Sequence, residues 1–346
     1  MRKLSSARHN IAIVQWYDRD EIAEAIHFEL RQLGHEPFFF KADTSVPDGA
    51  DIVFTFAPYG RFLPIVQQLG QLAPEKRPLL IHWNTEGVPD LRLPWRLTRL
   101  LGAGRSWLER SISQSSANRN SLLTLLESKM LRFRYVGDYY YAHKKGLLNL
   151  FSDSSAVYAR IHSKHGLPTL YVPWGASPLW YADLNLERDI DVLWMGNRHG
   201  DRRSELLDQI RERLLRHGIQ MYVADGQENP FIYREERVTL LNRAKITLNI
   251  TRTWYDDNFS RFALVAPNRS LIVSEHLLPH CPAYEPGVHY VANAPEKLAE
   301  TIVFYLRQPQ ARAEIVDNAC LLTTSQLTFN GSIKKLLTAV NGLKGY

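Results

Sequence analysis

The chain has 346 residues, of which 45% are hydrophobic and 23% are charged. These fractions exclude a disordered or fibrous protein, and at roughly 150 residues per domain the length predicts two domains. The formal net charge is only +6, which by itself indicates no particular class of partner.

The basic excess lies in one segment of the chain. Residues 90–145 contain 11 basic and four acidic residues, so this segment carries +7 and the remainder of the chain −1. The segment is rich in Leu, Ser and Arg and has no clear strand pattern. We therefore predict a basic helical insertion at about residues 90–145.

Short apolar runs alternate with amphipathic stretches in the first half. In chain order, the predicted elements are strand 10–15, helix 20–33 ending at Gly34, and strands 37–41, 51–56, 78–83, 147–151 and 169–173. Residues 178–187 resemble a linker. Apolar strands that alternate with helices are typical of parallel βαβ units.

The same alternation begins again after the linker. The predicted elements are strand 191–195, helix 201–217, strand 220–224, helix 237–244, strand 246–250, helix 259–266, strand 270–274 and helix 295–307. We predict an α/β protein with two Rossmann-like domains facing an interdomain cleft, divided into residues 1–176 and 177–346.

Several common motifs are absent from the sequence. No GxGxxG follows the first strand, and we find no Walker, HExxH or GxSxG motif. Cys281 and Cys320 form no disulfide framework or CxxC pair, and His276 and His280 are too few for a metal site. We therefore expect no metal and a reducing, cytoplasmic location.

The stretch 248–275 contains the most informative polar residues. A strand ends near Arg252, polar side chains follow, and a helix begins near Phe259 with Ser260 and Arg261 in its first turn. Arginine suits a diphosphate, and carboxylate and amide groups suit sugar hydroxyls. On these residues alone, an ordinary loop followed by a capped helix is the other interpretation.

The order of several blocks then points to a known family. The blocks are DVLWMGNRHGDRR at 191–203, LLNRAKITLN at 240–249, residues 257–275 and EPGVHYV at 285–291. They resemble group 1 glycosyltransferases, particularly spore-maturation CgeB-like proteins, and closing helices at 295–319 and a preceding linker at 170–180 also match. The resemblance implies a GT-B fold and a nucleotide-sugar donor on the second domain.

The resemblance also implies donor-binding residues. Gly196, Asn197 and Arg203 would approach the donor diphosphate, and the remaining candidates would surround the sugar and diphosphate. Those candidates are Arg252, Tyr255, Asp257, Asn258, Ser260, Arg261 and Glu275. UDP-, GDP- and TDP-sugars all remain open as donors, and no additional cofactor is required.

One position departs from the family pattern. The family has a glutamate that holds the nucleotide ribose, and in the simplest register this sequence has Ala263 there. Alanine accepts no hydrogen bond from ribose. Either Asp257 or Glu275 substitutes, or nucleotide binding is altered or lost, which leaves a catalytically silent binding or assembly protein as the alternative.

Loops of the first domain would supply the residues that act on the acceptor. Our candidates for a catalytic acid or base are Asp18, His82 and Glu86, with Tyr59 and Asn84 in neighbouring loops. The sequence leaves both an inverting and a retaining reaction open. The hydroxyl acceptor is unknown, and a lipid-linked or surface glycan is one class.

Three interpretations of the basic insertion remain open. Residues 92–135 mix arginine with Trp and Leu, which suits an anionic membrane surface. A polyanion such as nucleic acid is disfavoured because no helix-turn-helix or RNP signature accompanies the charge. The third interpretation is a helical insertion whose arginine stems pack inside the domain. Peripheral attachment would place the protein at the inner face of the membrane.

Overall fold

A computed structural model describes residues 8–16, 18, 20–57, 62–112, 130–198 and 201–343. The chain divides into two compact units. Unit 1 contains the described residues up to Val172 and those from Ile333 onward, and unit 2 contains Pro173–Ser332. The predicted division at 176/177 placed all residues after 176 in the second domain. In the structure, the residues from Ile333 onward belong to unit 1 instead.

Unit 1 is built on a parallel sheet of six strands, in the order β2-β1-β3-β4-β5-β6. The strands are β1 Asn10–Gln15, β2 Glu36–Lys41, β3 Ile52–Phe56, β4 Leu79–Asn84, β5 Leu150–Asp153 and β6 Leu170–Tyr171. The helices are α1 Glu21–Gln32, α2 Phe62–Gln71, α3 Trp95–Ile112, α4 Leu131–Lys144 and α5 Ala156–Lys164. The helices α1, α2 and α5 follow β1, β3 and β5, respectively. Each of these helices therefore starts near the carboxyl end of its strand and runs back towards the amino end.

Local signals in the sequence explain where the first helix begins and ends. The Asp20 side chain accepts hydrogen bonds from the backbone N–H groups of Ile22 and Ala23, which α1 itself leaves unpaired. Gly34 follows the helix with a φ of 83°, in the left-handed region that favours glycine. The strands of unit 1 are apolar, and β3 is buried throughout.

The basic insertion includes two packed helices, α3 and α4. They meet where Gly102 lies against Gly137. A β-carbon at Gly137 would lie 2.0 Å from the carbonyl oxygen of Gly102, so the two backbones approach too closely for any side chain. In the described part of this segment, α3 and α4 therefore pack against each other through glycine.

Unit 2 has a parallel sheet of five strands, in the order β11-β10-β9-β7-β8. The strands are β7 Ile190–Met195, β8 Met221–Ala224, β9 Ala244–Asn249, β10 Leu271–Glu275 and β11 Val291–Asn293. The helices are α6 Asp201–Arg216, α7 Arg234–Arg243, α8 Phe259–Val265, α9 Leu298–Arg307 and α10 Pro309–Leu321. The last helix, α11 Phe329–Leu343, begins in unit 2 and belongs to unit 1 from Ile333 onward. The edge strand β11 is an element that the sequence prediction lacked.

The strands of unit 2 are buried on both faces. Leu193 and Met195 of β7 belong to one core, while Val192 and Trp194 of the same strand belong to the other. This division explains why the strand is apolar at nearly every position. The predicted linker at 178–187 is fixed to unit 2, since the amides of Ala182 and Leu184 donate to the Asn268 and Asn242 side chains.

Candidate functional site

The strand order of unit 2 reverses direction at its first strand, β7. The strand β8 lies on one side of β7, and β9, β10 and β11 lie in succession on the other. At such a point the connections leave the carboxyl ends of neighbouring strands in opposite directions, which opens a crevice for ligands. The chain that follows β7, and the chain that follows β9, supply most of the predicted donor-binding residues.

Arg261 reaches from α8 to the chain that follows β7. Its Nη1 donates to the Asn249 side-chain oxygen at 2.9 Å, and the Asn249 amide in turn donates to Ser274 Oγ at 2.9 Å. Gly196 has a φ of 141°, and a β-carbon there would lie 2.9 Å from Arg261 Nη2. The glycine therefore makes room for this guanidinium.

Arg203 is the second arginine of this group. It lies in the first turn of α6, is only 5% exposed, and donates from Nη1 to the carbonyl oxygen of Asn197 at 2.9 Å. Its buried Nε has no hydrogen-bond partner among the described residues. Neither Arg203 nor Arg261 forms a salt bridge with a carboxylate in the described part of the chain.

The environment disfavours the charge on both arginines. Burial, and then the positive charge of Arg252, lowers the pKa of Arg203 to about 10, and Asp256 and Glu275 offset this only in part. Burial, followed by repulsion from Arg203 and Arg252, lowers the pKa of Arg261 to about 9. A bound anion would relieve the repulsion among these cations.

Two other arginines of the group do have carboxylate partners. Arg202 is paired with Glu275 and also donates to the carbonyl oxygen of Thr251 at 2.9 Å. Arg252 is exposed and donates from Nε to Asp256 Oδ2 at 3.0 Å. These four guanidinium groups and the two carboxylates that pair with them, Glu275 and Asp256, carry a combined charge of +2. We call Arg202, Arg203, Arg252 and Arg261 the arginine cluster.

The Glu275 carboxylate is occupied by protein groups. It is 5% exposed and accepts hydrogen bonds from the backbone N–H and the hydroxyl of Thr251, each at 2.7 Å. Together with the pair to Arg202, these bonds satisfy most of its acceptor capacity. The geometry assigns Glu275 the positioning of Arg202 and of the chain after β9, rather than contact with a ribose.

The remaining predicted donor residues differ in how much surface they present. Asp257 accepts from the backbone N–H of Phe259 at 2.9 Å, and Asn258 donates to the carbonyl oxygen of Ile250 at 3.4 Å. Tyr255 is 5% exposed, whereas Ser260 is exposed. The neighbouring Trp254 is 50% exposed and was not among the predicted residues, because a lone Trp carries no spacing signal.

Asn249 and Thr251 also contribute to the site without having been predicted. They lie at the end of β9 and contact Arg261 and Glu275, respectively. The signal that could have identified them is their polarity at the carboxyl end of an apolar strand. Ala263, by contrast, has no exposed surface.

In unit 1, His82 is buried in the core. It has no exposed surface and packs against Phe62, Tyr139 and Phe151. Its Nδ1 lies 2.9 Å from the Thr55 hydroxyl, and burial lowers its pKa to about 3. These contacts contradict the expectation that His82 serves as a catalytic base, because an acceptor cannot reach it.

The other two predicted catalytic residues of unit 1 are accessible. Asp18 is largely exposed and lies 3.3 Å from Lys41 Nζ, and Glu86 lies 3.5 Å from the Arg132 guanidinium. The structure shows no contact that brings Asp18, His82 and Glu86 together. Tyr59 lies outside the described residues.

A polar network follows the ends of β4 and β5. The Asn84 amide donates to Asp153 Oδ2 at 2.7 Å and to the carbonyl oxygen of Glu86 at 2.9 Å, and Tyr139 donates to Asn84 Oδ1 at 3.0 Å. Asp153 is buried and also accepts from the backbone N–H of Ser155 at 2.8 Å. The network fixes the loop that carries Glu86.

Much of the basic insertion is used within unit 1. Arg105 and Arg134 pair with Glu109, and the Arg99 guanidinium lies 3.4 Å from the centre of the Tyr140 ring. Arg119 and Lys129 lie outside the described residues. Arg96 is exposed, as are Leu97, Leu100 and Trp107 on the same helix.

The described ranges lack two features. They contain no group of three or more His, Cys, Asp or Glu side chains that could hold a metal ion. Within the same ranges, no helix has the length and apolar character needed to cross a bilayer.

Comparison with known proteins bears directly on this site. Residues 198–338 match a family described as glycosyl transferase-like, and this region contains the arginine cluster. None of the curated proteins matches the chain.

Solved structures show the fold. Sucrose-phosphate synthase from Thermosynechococcus elongatus aligns with a TM-score of 0.59 at 12% identity, over 98% of this chain and 100% of that one. Anabaena HepE, solved with UDP and glucose, aligns with a TM-score of 0.56 at 10% identity, over 98% of this chain and 100% of the HepE chain. S. aureus TarM gives 0.54 at 9% identity over 85% of this chain and 55% of its own. The chain therefore has a GT-B fold.

Proposed function

We propose that the protein is a glycosyltransferase whose arginine cluster binds the diphosphate of a nucleotide-sugar donor. The observation that carries the proposal is the pair Arg203 and Arg261, two neighbouring guanidinium groups with lowered pKa and no salt bridge to a carboxylate among the described residues. A diphosphate would supply the missing negative charge. The UDP and glucose bound to HepE, a protein of the same fold, support this assignment.

The cluster suits the departure of a nucleoside diphosphate. In the proposed reaction the bond between the anomeric carbon and the phosphate oxygen breaks, and the acceptor oxygen forms a new bond to that carbon. The acceptor proton passes to a base, and negative charge grows on the diphosphate. Arginines already in place stabilise that charge without rearranging at the moment of reaction.

Individual roles follow from position. Arg203 and Arg261 would contact the diphosphate, with Gly196 and the backbone of Asn197 beside them. Arg252 is an exposed member of the same cluster, so it would contact a phosphate or the sugar. Asp257 and Asn258 would shape the loop, Ser260 would offer its exposed hydroxyl, and Tyr255 and Glu275 would act mainly by holding their neighbours in place.

The acceptor base is proposed to be Glu86. It follows β4, a network of hydrogen bonds fixes its loop, and its side chain is partly exposed. Asp18 is the second candidate, because it is exposed after β1. The acceptor would be a hydroxyl of a lipid-linked or surface glycan.

One observation favours the alternative of a silent binding protein. Ala263 stands where the resembling family has the glutamate that holds the ribose, and it is fully buried. Alanine cannot hold a ribose by hydrogen bonds, so the ribose would be held by other groups or not at all.

We propose a cytoplasmic location with peripheral attachment to the membrane through α3. Exposed Leu97 and Leu100 beside the exposed Arg96 support the attachment, and the low number of cysteines, two in the whole sequence, supports a reducing compartment. Flotation with anionic vesicles tests this. We expect flotation of the wild type and its loss in Leu97→Ser/Leu100→Ser; unchanged flotation would contradict the attachment through α3.

The test of the function is transfer itself. Purified protein is incubated with UDP-, GDP- and TDP-sugars and a panel of glycan acceptors, and the release of nucleoside diphosphate and the product are measured. We expect turnover with one donor class, at least about tenfold slower in Arg261→Ala and unchanged in Arg216→Ala, an exposed arginine at the end of α6. Donor binding without any turnover would instead support the silent alternative.

A further inference from the structure

A groove of about 600 Å³ lies on the helical side of unit 1, between α2 and α3. Because α2 runs back from the carboxyl end of β3, its last turn lies towards the amino ends of the strands, away from Glu86 and Asn84. The groove is thus separate from the proposed acceptor loop, and it shares no residue with the arginine cluster. Its lining consists of Val66, Gln67, Gly70, Gln71, Trp107, Arg110, Ser111, Tyr141 and Leu147.

The arginine of this groove is held in a defined position. Arg110 donates from Nη1 to Ser106 Oγ at 2.5 Å, and its guanidinium lies 3.8 Å from the centre of the Tyr141 ring. Ser106 in turn donates to the buried Asp138. The close contact of Gly102 with Gly137 brings α3 and α4 near enough for these contacts between the two helices.

The other polar groups suit a neutral ligand with hydroxyl groups. Gln67 and Gln71 offer amide donors and acceptors, and Ser111 offers a hydroxyl. Among the described residues that line the groove, none is a carboxylate and Arg110 alone is a cation. A polyanion would need several cations, and an acyl chain would need a lining without amides.

Trp107 gives the groove an exposed aromatic surface. Its side chain is 62% exposed, an unusual degree for an indole. One face of a sugar ring presents C–H groups that pack on an aromatic ring, while the hydroxyls around its edge pair with planar amide and guanidinium groups. A volume near 600 Å³ is within the range of roughly 300–1,000 Å³ of ligand pockets, enough for a short oligosaccharide.

We propose that this groove binds a neutral oligosaccharide at a site separate from the proposed transfer site. Trp107 stacks on a sugar ring, and Gln67, Gln71 and Arg110 hydrogen-bond the hydroxyls. The site goes beyond the proposed transfer and does not depend on it, because saccharide binding here involves no residue of the arginine cluster.

Titration of the full chain with maltotetraose, cellotetraose and chitotetraose tests the proposal. We expect saturable binding of at least one of them, weakened at least about tenfold by Trp107→Ala, which corresponds to about 1.4 kcal/mol, and weakened less by Trp107→Tyr. Gln67→Ala should also weaken it. Leu100→Ala, which removes an exposed side chain of the same helix outside the groove, is the matched control and should leave affinity unchanged.

Two crossed variants separate this proposal from the proposed function. Arg261→Ala should retain tetrasaccharide binding and lose donor binding, while Trp107→Ala should do the reverse. If folded wild type binds none of the three tetrasaccharides, or if binding is insensitive to both Trp107→Ala and Gln67→Ala, the groove is not a saccharide site. Neither result would affect the donor assignment.

Discussion

The guanidinium of Arg261 occupies the space that a side chain at Gly196 would need. A β-carbon on Gly196 would stand 2.9 Å from Arg261 Nη2, and the glycine also has a φ of 141°. Glycine at this position therefore serves two purposes: it permits the backbone turn after β7, and it admits a cation to the crevice. The arginine cluster depends on this contact.

Gly196→Ala should weaken donor binding at least about tenfold. The new methyl group would strain the backbone and displace Arg261. Isothermal titration with the preferred nucleotide sugar measures the effect. Gly218→Ala is the matched control, since Gly218 also has a positive φ, 73°, but nothing lies within 4 Å of its β-carbon position. Gly218→Ala should lower the free energy of unfolding by about 1 kcal/mol and leave donor affinity unchanged. An equal loss of donor affinity in both variants would refute the role of Gly196.

Glu275→Gln should destabilise unit 2 and weaken donor binding together. The substitution removes the charge that pairs with Arg202 and alters the acceptor of two Thr251 bonds. We expect the free energy of unfolding to fall by about 1–3 kcal/mol in denaturant titration. Asp317→Asn, at an exposed salt bridge with Arg269, should change it by less than about 1 kcal/mol. A Glu275→Gln protein as stable as the wild type would contradict the positioning role.

His82→Phe should reduce the sensitivity of the protein to acid and leave transfer intact. Unfolded histidine binds a proton near pH 6.5, whereas buried His82 does so only near pH 3. Its contribution to stability is therefore complete above pH 6.5 and is lost as the pH falls towards 3, by about 2 kcal/mol between pH 7 and pH 5. Unfolding at these two pH values measures it.

The exposed His217 provides the control for that experiment. His217→Asn should keep the acid sensitivity of the wild type. If His82→Phe abolished transfer in a protein that remained folded, His82 would have a catalytic role after all, against its burial.

Gly137→Ala should separate α3 from α4. Its β-carbon would lie 2.0 Å from the carbonyl oxygen of Gly102, a backbone atom that cannot move without its helix, so we expect a loss of about 1–3 kcal/mol. Gly104→Ala is the matched control, because Gly104 also lies in this helix pair, in α3, and nothing lies within 4 Å of its β-carbon position. That substitution should stabilise the protein by about 0.5–1 kcal/mol. Urea unfolding distinguishes the two outcomes, and a destabilised Gly104→Ala would contradict the packing.

The sequence predicted most of the sheet strands because their apolar runs are buried on both faces. Strands such as β1 and β7 agree with the predicted ranges 10–15 and 191–195 nearly residue for residue. The edge strand β11 escaped prediction, since its three residues carry too short a pattern. The C-terminal stretch was assigned entirely to the second domain, because chain order does not show against which unit the last residues pack.

The candidate site was predictable in its location and less so in its roles. Polar residues after an apolar strand identified Arg252 and Arg261, yet the same reasoning selected Tyr255, which is buried. His82 was a candidate base because it lies at the end of a predicted strand, where loops of the first domain can supply an acid or base, but its place within β4 directs it into the core. Side-chain direction and salt-bridge partners depend on packing, which spacing along the chain does not encode.

The central claim is that Arg203 and Arg261 hold the diphosphate of a nucleotide sugar. Calorimetric titration of UDP, GDP and TDP into wild type, Arg203→Ala, Arg261→Ala and the control Arg216→Ala tests it most directly. We predict saturable binding of at least one nucleotide by the wild type and Arg216→Ala, and affinity at least about tenfold lower in each of the other two. Equal affinity in all four folded proteins, or no binding of any of the three nucleotides by the wild type, would contradict the claim.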